Sequence, residues 1–334
     1  MGNCCQNPLC KKNSLRAQSL GPVGDSVGIP FPDLKRILHA TDFTPTSNAA
    51  FKVALRTCKE FGSSLTLLHV YEPPPAGLPG TASLGEDYEI AVLTAKQQLR
   101  DMRRVAMQEG VLCEADVCCG IASQSILDAI ESNRIDLAIV GTKARHGVTR
   151  FWFGSTAEDV LRNAICPVMT IGPHAAATME QEKKQGPVVF ATDFSTATLP
   201  AIRYACRFRE TTQLPLYCLN VLPRSLESVP TGGSLQHVLN DGLSHLAKES
   251  GAVEPMPICA TSYGSDISYA IVEYAREQHA KMIVLGVRQA SMLKSHLPVH
   301  VTFRVITEAP CPVVTMAYSS TSAETAMLTA ISVQ

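Results

Sequence analysis

Two short stretches of this sequence carry residue types suited to holding a nucleotide. Gly154-Ser155-Thr156 stands where a helical pattern begins. A glycine there lets backbone come close to a ligand, and the first N–H groups of a helix lack partners in their own turn. The dipole end and two hydroxyls then favour an anion such as phosphate. Asp42 closes a short apolar run, and its carboxylate can accept hydrogen bonds from ribose hydroxyls or a base amine. The same residues have a plainer use, with Gly154-Ser155 an N-cap and Asp42 a cap for the helix after it. Which use applies depends on whether the stretches face each other, and so on the elements that carry them.

Those elements repeat. Ala40-Thr41-Asp42-Phe43-Thr44 recurs as Ala191-Thr192-Asp193-Phe194-Ser195, an offset that also carries Val70 onto Val221. Further on, Gly141 maps to Gly286 and Cys166-Pro167-Val168 to Cys311-Pro312-Val313. A period this long is a domain duplication rather than a solenoid. In the first copy Lys35–Ala40 reads as a buried strand. A helix follows, capped by Ser47 or Thr46, with Ala50, Val53, Ala54, Cys58 and Phe61 on its apolar face and Gly62 as terminator. Leu65–Val70 is a second strand, and a Pro/Gly-rich loop over Pro73–Gly85 leads to a helix with Val92, Leu99, Met102, Val105 and Ala106 inward. Leu112–Cys118, Leu137–Val140 and Val168–Ile171 read as strands, and Ser123–Ser132 and Ser155–Asn163 as helices. Alternation of this kind predicts an α/β fold: two doubly wound domains, each a five-stranded, mostly parallel sheet with helices on both faces and its own core. In such sheets ligands lie at the carboxyl ends of the strands where strand order reverses. If the first and fourth strands are neighbours, the Asp42 loop and the Gly141–Thr156 loop share one crevice.

Gly141-Thr142-Lys143-Ala144, then nine residues, then Gly154-Ser155 resembles the G-x-x-G-x9-G-[ST] loop of the universal stress protein family. The order around it, a first strand with Asp and a second ending His69-Val70, matches across residues 31–173. The likeness extends over 186–317 through ATDFS and the final CPVVTMA. The resemblance implies a tandem universal stress protein of adenine-nucleotide α-hydrolase-like fold that binds ATP, with or without Mg2+. By it, Ala40, Thr41 and Asp42 contact the adenosine, Val70 lies against the adenine, Val140 and Gly141 continue the wall, and Gly154, Ser155, Thr156 and Ala157 hold the phosphates. Lys143 and Ala144 fall in the same loop. Ala144 stands where the motif has its second glycine, and a methyl there bears on affinity where backbone must approach phosphate. The second copy has Val287-Arg288-Gln289 after Gly286 and Val299-His300-Val301 where the first has Gly154-Ser155-Thr156, so a structural role is expected of it. The resemblance also implies that the final strands, Val168–Ile171 and Val313–Met316, pair within the chain as a pseudo-dimer, which covers two β-prone edges. The expected division is a flexible tail over 1–30, a nucleotide-binding domain over 31–173, a linker over 174–185, a degenerate domain over 186–318 and a tail over 319–334.

Other residues read more plainly. His39 and His69 lie in apolar strands as satisfied core histidines. Lys143, Arg145 and His146 screen ligand charge or form a solvated loop, and Trp152 packs on the domain or a partner. The leader Met1-Gly2-Asn3-Cys4-Cys5 has Gln6 where a myristoylation signal has Ser or Thr. Twelve cysteines form no C-x-x-C pair and no zinc spacing, so most read as core filling in a reducing compartment, Cys58, Cys206 and Cys218 among them. A redox role is conceivable at Cys118-Cys119. No catalytic residue stands out.

With 334 residues, 46% apolar, 18% charged, and 29 Lys and Arg against 30 Asp and Glu, the chain is long enough for two cores and too balanced in charge to gather nucleic acid. It has no membrane span, and the expectation is a cytoplasmic stress-response protein. Its ligand is ATP or another adenine nucleotide, with an unidentified protein partner and further homo-oligomers open. The alternatives are a nucleotide-independent interaction module or a slow ATP hydrolase.

Overall fold

The computed structural model describes residues 34–73, 84–142, 154–179, 186–195, 198–227, 232–288 and 299–318. The front copy runs β1 (Arg36–Ala40), α1 (Pro45–Phe61), β2 (Ser64–Tyr71), α2 (Leu84–Gln108), β3 (Cys113–Cys119), α3 (Ala122–Ser132), β4 (Leu137–Gly141), α4 (Ser155–Asn163) and β5 (Val168–Ile171). After α5 (Pro173–Met179) the rear copy repeats it: β6 (Val188–Thr192), α6 (Leu199–Thr212), β7 (Leu216–Pro223), α7 (Gly232–Glu249), β8 (Ile258–Gly264), α8 (Ile267–Glu277), β9 (Met282–Arg288), α9 (Val299–Glu308) and β10 (Val313–Tyr318).

Local chemistry explains where the site-bearing elements begin. Helix α1 is capped by Thr44, whose hydroxyl accepts the Ser47 N–H at 3.4 Å, and not by Ser47 or Thr46 as the pattern suggested. Pro45 decides this, because its fixed φ and missing N–H suit the first helical position. Gly62 ends the helix at φ 65°, its N–H on the Cys58 carbonyl. In α2, Leu99 and Ala106 are buried as expected, but Val105 is 42% exposed.

The strands form one ten-stranded sheet in the order β3-β2-β1-β4-β5-β10-β9-β6-β7-β8. Within each copy all pairings are parallel. The copies join antiparallel through β5 and β10, with Val313 opposite Thr170 and Thr315 opposite Val168.

That joint changes the expected cores. Rather than one per copy, there is one per face of the sheet, each running through both copies. The first includes Ile37, Phe51, Leu67, Phe190, Tyr204 and Val284. The second includes Leu38, Val140, Val160, Val189, Ile271 and Ile306. A sheet continuous across β5 and β10 has continuous faces, and each must be covered along its length. The expected linker contributes as well, since α5 occupies its start and Ala175 is fully buried in the first core.

Candidate functional site

β1 lies between β2 and β4, so strand order reverses there and the chain leaves β1 and β4 on one crest. The turn after β1 is tightly organised. The Thr41 N–H donates to the Leu68 carbonyl, and the Thr41 carbonyl accepts His69 Nδ1 at 2.8 Å, which fixes the proton on that nitrogen because a carbonyl only accepts. Thr41 Oγ1 accepts from the Ser47 hydroxyl at 2.9 Å and from the Phe43 N–H at 3.1 Å. Phe43 has φ 60°, unusual for a bulky residue, and its ring lies 4.6 Å from that of His69. Asp42 Oδ1 accepts the Thr44 N–H at 3.1 Å and the Thr44 hydroxyl at 2.6 Å. Asp42 therefore shapes the turn, while Thr44 caps the helix.

Gly141 ends β4 under the start of α1. A β-carbon on it would stand 2.7 Å from the Ser47 amide nitrogen, so glycine is required here by the protein's own packing. Thr142, next along, is 2% exposed, and its hydroxyl has no hydrogen-bond partner among the described residues. Gly154 is the opposite case. It precedes α4 in extended conformation (φ −61°, ψ 134°) with no side-chain cap, and among the described residues a β-carbon on it meets nothing within 4 Å. The first N–H groups of a helix lack partners in their own turn, so those of α4 are available to an acceptor. At the far end of α4, Arg162 is ion-paired to Glu158 at 2.8 Å and lies 5.8 Å from the Phe303 ring of α9.

These pieces line one cleft of about 350 Å³, a volume suited to a small ligand. It brings together Ala40, Thr41, Asp42, Val70, Val140, Gly141, Gly154, Ser155, Thr156 and Ala157. Lys143 and Ala144 lie outside the described residues, as do Arg145, His146 and Trp152. The cleft also takes in Ser47, Thr142 and Glu72, which sequence reasoning passed over. Thr142 had a signal, a polar residue directly after a buried strand. Glu72 had none: its carboxylate reaches across the rim to cap α3 through the Ala122 N–H at 2.6 Å, in place of the apolar N-cap Ile121. Two larger cavities, about 860 and 490 Å³, lie at the amino ends of the front strands and between the copies, and neither includes a residue predicted to hold the ligand. Among the described residues no group of His, Cys, Asp and Glu is placed to hold a metal ion.

His39 is fully buried under this crest. Its Nδ1 donates to the Ile139 carbonyl at 3.0 Å, but Nε2 has no partner among the described residues, which leave the expected core histidine half-satisfied. Burial lowers its pKa to about 4, against the smaller opposing pulls of the Ile139 carbonyl and Asp42, and keeps the ring neutral.

The rear copy keeps half of this arrangement. Phe194 has φ 60°, its N–H donates to Thr192 Oγ1 at 2.9 Å, the Ser195 N–H donates to Asp193 Oδ1 at 2.9 Å, and Asn220 Nδ2 donates to the Thr192 carbonyl at 2.8 Å in the role of His69. The helix side differs. α9 begins at Val299, and from it Arg304 reaches Asp266, the N-cap of α8, and Glu308 at 3.6 Å. Asp266 also accepts the Ser268 hydroxyl at 2.5 Å and the Tyr269 N–H at 3.2 Å; with Arg304, these hold its pKa down to about 2.

A doubly wound α/β unit, present twice and joined edge to edge, with a cleft over the carboxyl ends of β1 and β4, defines the class. The universal stress protein family description matches residues 33–172 and again 186–316, and the chain belongs to that family as a tandem member. A universal stress protein of Methanocaldococcus jannaschii is 30% identical over 138 residues, covering 41% of this chain and 81% of its own. The crystal structure of a universal stress protein from Archaeoglobus fulgidus superposes with a TM-score of 0.67 at 18% identity, over 86% of this chain and 98% of that one, a likeness of fold. A universal stress protein solved in complex with cAMP aligns over 42% of this chain and 98% of its own, at 18% identity and a TM-score of 0.33.

Proposed function

We propose that the front cleft binds ATP or a closely related adenine nucleotide, and that occupancy alters a surface offered to a protein partner in the cytoplasm. The rear copy then serves as the structural counterpart of the front one, a built-in dimer partner. One observation carries the reading: the start of α4 at Gly154, with no side-chain cap, stands in the same cleft as Asp42 and the Thr142 hydroxyl, which has no partner among the described residues. A phosphate group supplies acceptors to the α4 N–H groups and to a donating hydroxyl, while apolar Val70 and Val140 offer a wall for a base. Ala40, Thr41 and Asp42 would then hold the adenosine, Gly141 would continue the wall, and Gly154, Ser155, Thr156 and Ala157 the phosphates, with Lys143 and Ala144 in the connecting loop. Contact between Arg162 on α4 and Phe303 on α9 gives the occupied helix a route to the rear copy. Among the described residues no helix is long and apolar enough to cross a membrane.

Titration calorimetry of the full chain with ATP, with and without magnesium, tests the reading. One site per chain is expected. No heat at millimolar nucleotide, or two equal sites, would remove it in favour of an interaction module or a functional rear cleft. Release of phosphate over hours would add slow hydrolysis to binding.

A further inference from the structure

The described cysteines are not all core filling. Cys58, Cys113, Cys166 and Cys206 are buried, and burial pushes their thiols up to about 12, 11, 12 and 12 respectively. Cys259 differs in position and surroundings. It sits on β8, the outermost strand of the rear copy, half-buried between a 53% exposed Ile258 and the face of α7. Directly opposite on β7 is Cys218, fully buried, with the two residues in register and their side chains on one face of the sheet. From α7 the Ser244 hydroxyl reaches Cys259 Sγ at 3.4 Å. At the equivalent crossing of the front copy, β2 and β3 pair Leu67 with Ala115.

We propose that Cys259 is a modification site for hydroperoxides, with Cys218 as its resolving thiol. Two donors, the Cys218 S–H and the Ser244 O–H, converge on one sulfur and stabilise its thiolate, the form that reacts. Their donation lowers the Cys259 pKa, Cys218 being the larger influence, while Cys218 itself is raised. Charge costs most on the fully buried Cys218 sulfur, so the proton stays there, and the half-exposed Cys259, with the Ser244 hydroxyl on its sulfur, becomes the nucleophile. In the first step the Cys259 thiolate attacks a peroxide oxygen. An S–O bond forms, the O–O bond breaks, and the leaving hydroxide takes up a proton to become water; sulfur loses two electrons and the peroxide gains them. In the second step Cys218 attacks Cys259 Sγ, the S–S bond forms, the S–O bond breaks, and the departing hydroxide leaves as water with the Cys218 proton. Neighbouring strands lie about 4.8 Å apart, within the Cα separation a disulfide tolerates. The product staples the edge strand to its neighbour.

The test uses the reduced full chain, a few equivalents of hydrogen peroxide, thiol blocking and peptide mass spectrometry. A crosslinked Cys218–Cys259 peptide pair is expected before any oxidation of Cys119, the exposed thiol on β3. In Cys218→Ser, dimedone is expected to label Cys259. Oxidation of Cys119 first, or failure of dimedone to label Cys259 in the variant, overturns the proposal. A second readout separates activation from exposure. Iodoacetamide should alkylate Cys259 about tenfold faster than Cys119, and severalfold more slowly in Ser244→Ala with an unchanged circular dichroism spectrum. Equal rates at the two cysteines, or no effect of the variant, also overturns it.

Discussion

The front and rear crevices share one half and differ in the other. Both copies fold the turn after their first strand in the same way, with a phenylalanine at φ 60° and a side chain from the second strand holding the preceding carbonyl. In the front copy the facing helix opens at Gly154, where there is no side-chain cap and, among the described residues, nothing within 4 Å of a β-carbon. In the rear copy Arg304 ties α9 to the cap of α8 instead. The Thr-Asp-Phe turn is therefore part of how this fold closes its first strand, whether or not a ligand follows. The glycine start of α4 is the more telling feature, because no packing among the described residues calls for it.

The largest expected effect breaks that contrast directly. Gly154→Val should weaken ATP binding at least a hundredfold, about 2.7 kcal/mol, with no fall in melting temperature, since a β-carbon there meets nothing among the described residues. Substitutions at Val299 and His300 should leave binding unchanged, and calorimetry reads both. Gly141→Ala should act through stability. Its methyl would press on α1, costing about 2 kcal/mol in denaturant unfolding.

Acid should separate the copies next, because the counterpart of His39 in the rear copy is Phe190, fully buried and without a titrating group. A pKa lowered on folding from 6.5 to about 4 means that the unfolded state takes up the proton first. The stability is present above the unfolded value and is lost as pH falls towards 4. About 2 kcal/mol should go between roughly pH 7 and pH 5, and hydrogen exchange should show β1 and β4 loosening before β6 and β9.

The smallest effect belongs to Arg304→Ala. Both side chains of its pair with Asp266 are partly exposed, at 31% and 38%, so thermal stability should fall by under about 1 kcal/mol. For a carboxylate whose pKa is depressed on folding, this contribution exists above its unfolded value near 3.9. It fades as pH falls towards 2, where variant and parent should converge. Appearance of a second ATP site in this variant would mean that the bridge alone closes the rear crevice.

Much of this was legible without coordinates. The repeat offset, the alternation of strand and helix and the helix start at Ser155 follow from period and pattern, because burial on a pleated or helical surface leaves a regular trace in the chain, while the pairing of the two final strands came from the family resemblance. Tertiary structure alone decided that the cores divide by sheet face, that Glu72 caps a helix 50 residues away, that Gly141 serves packing while Gly154 does not, and that Cys218 and Cys259 meet. Each of these depends on which atoms from distant segments come within a few ångströms. Residue type and spacing limit such encounters, but only the assembled sheet and its helices select among them.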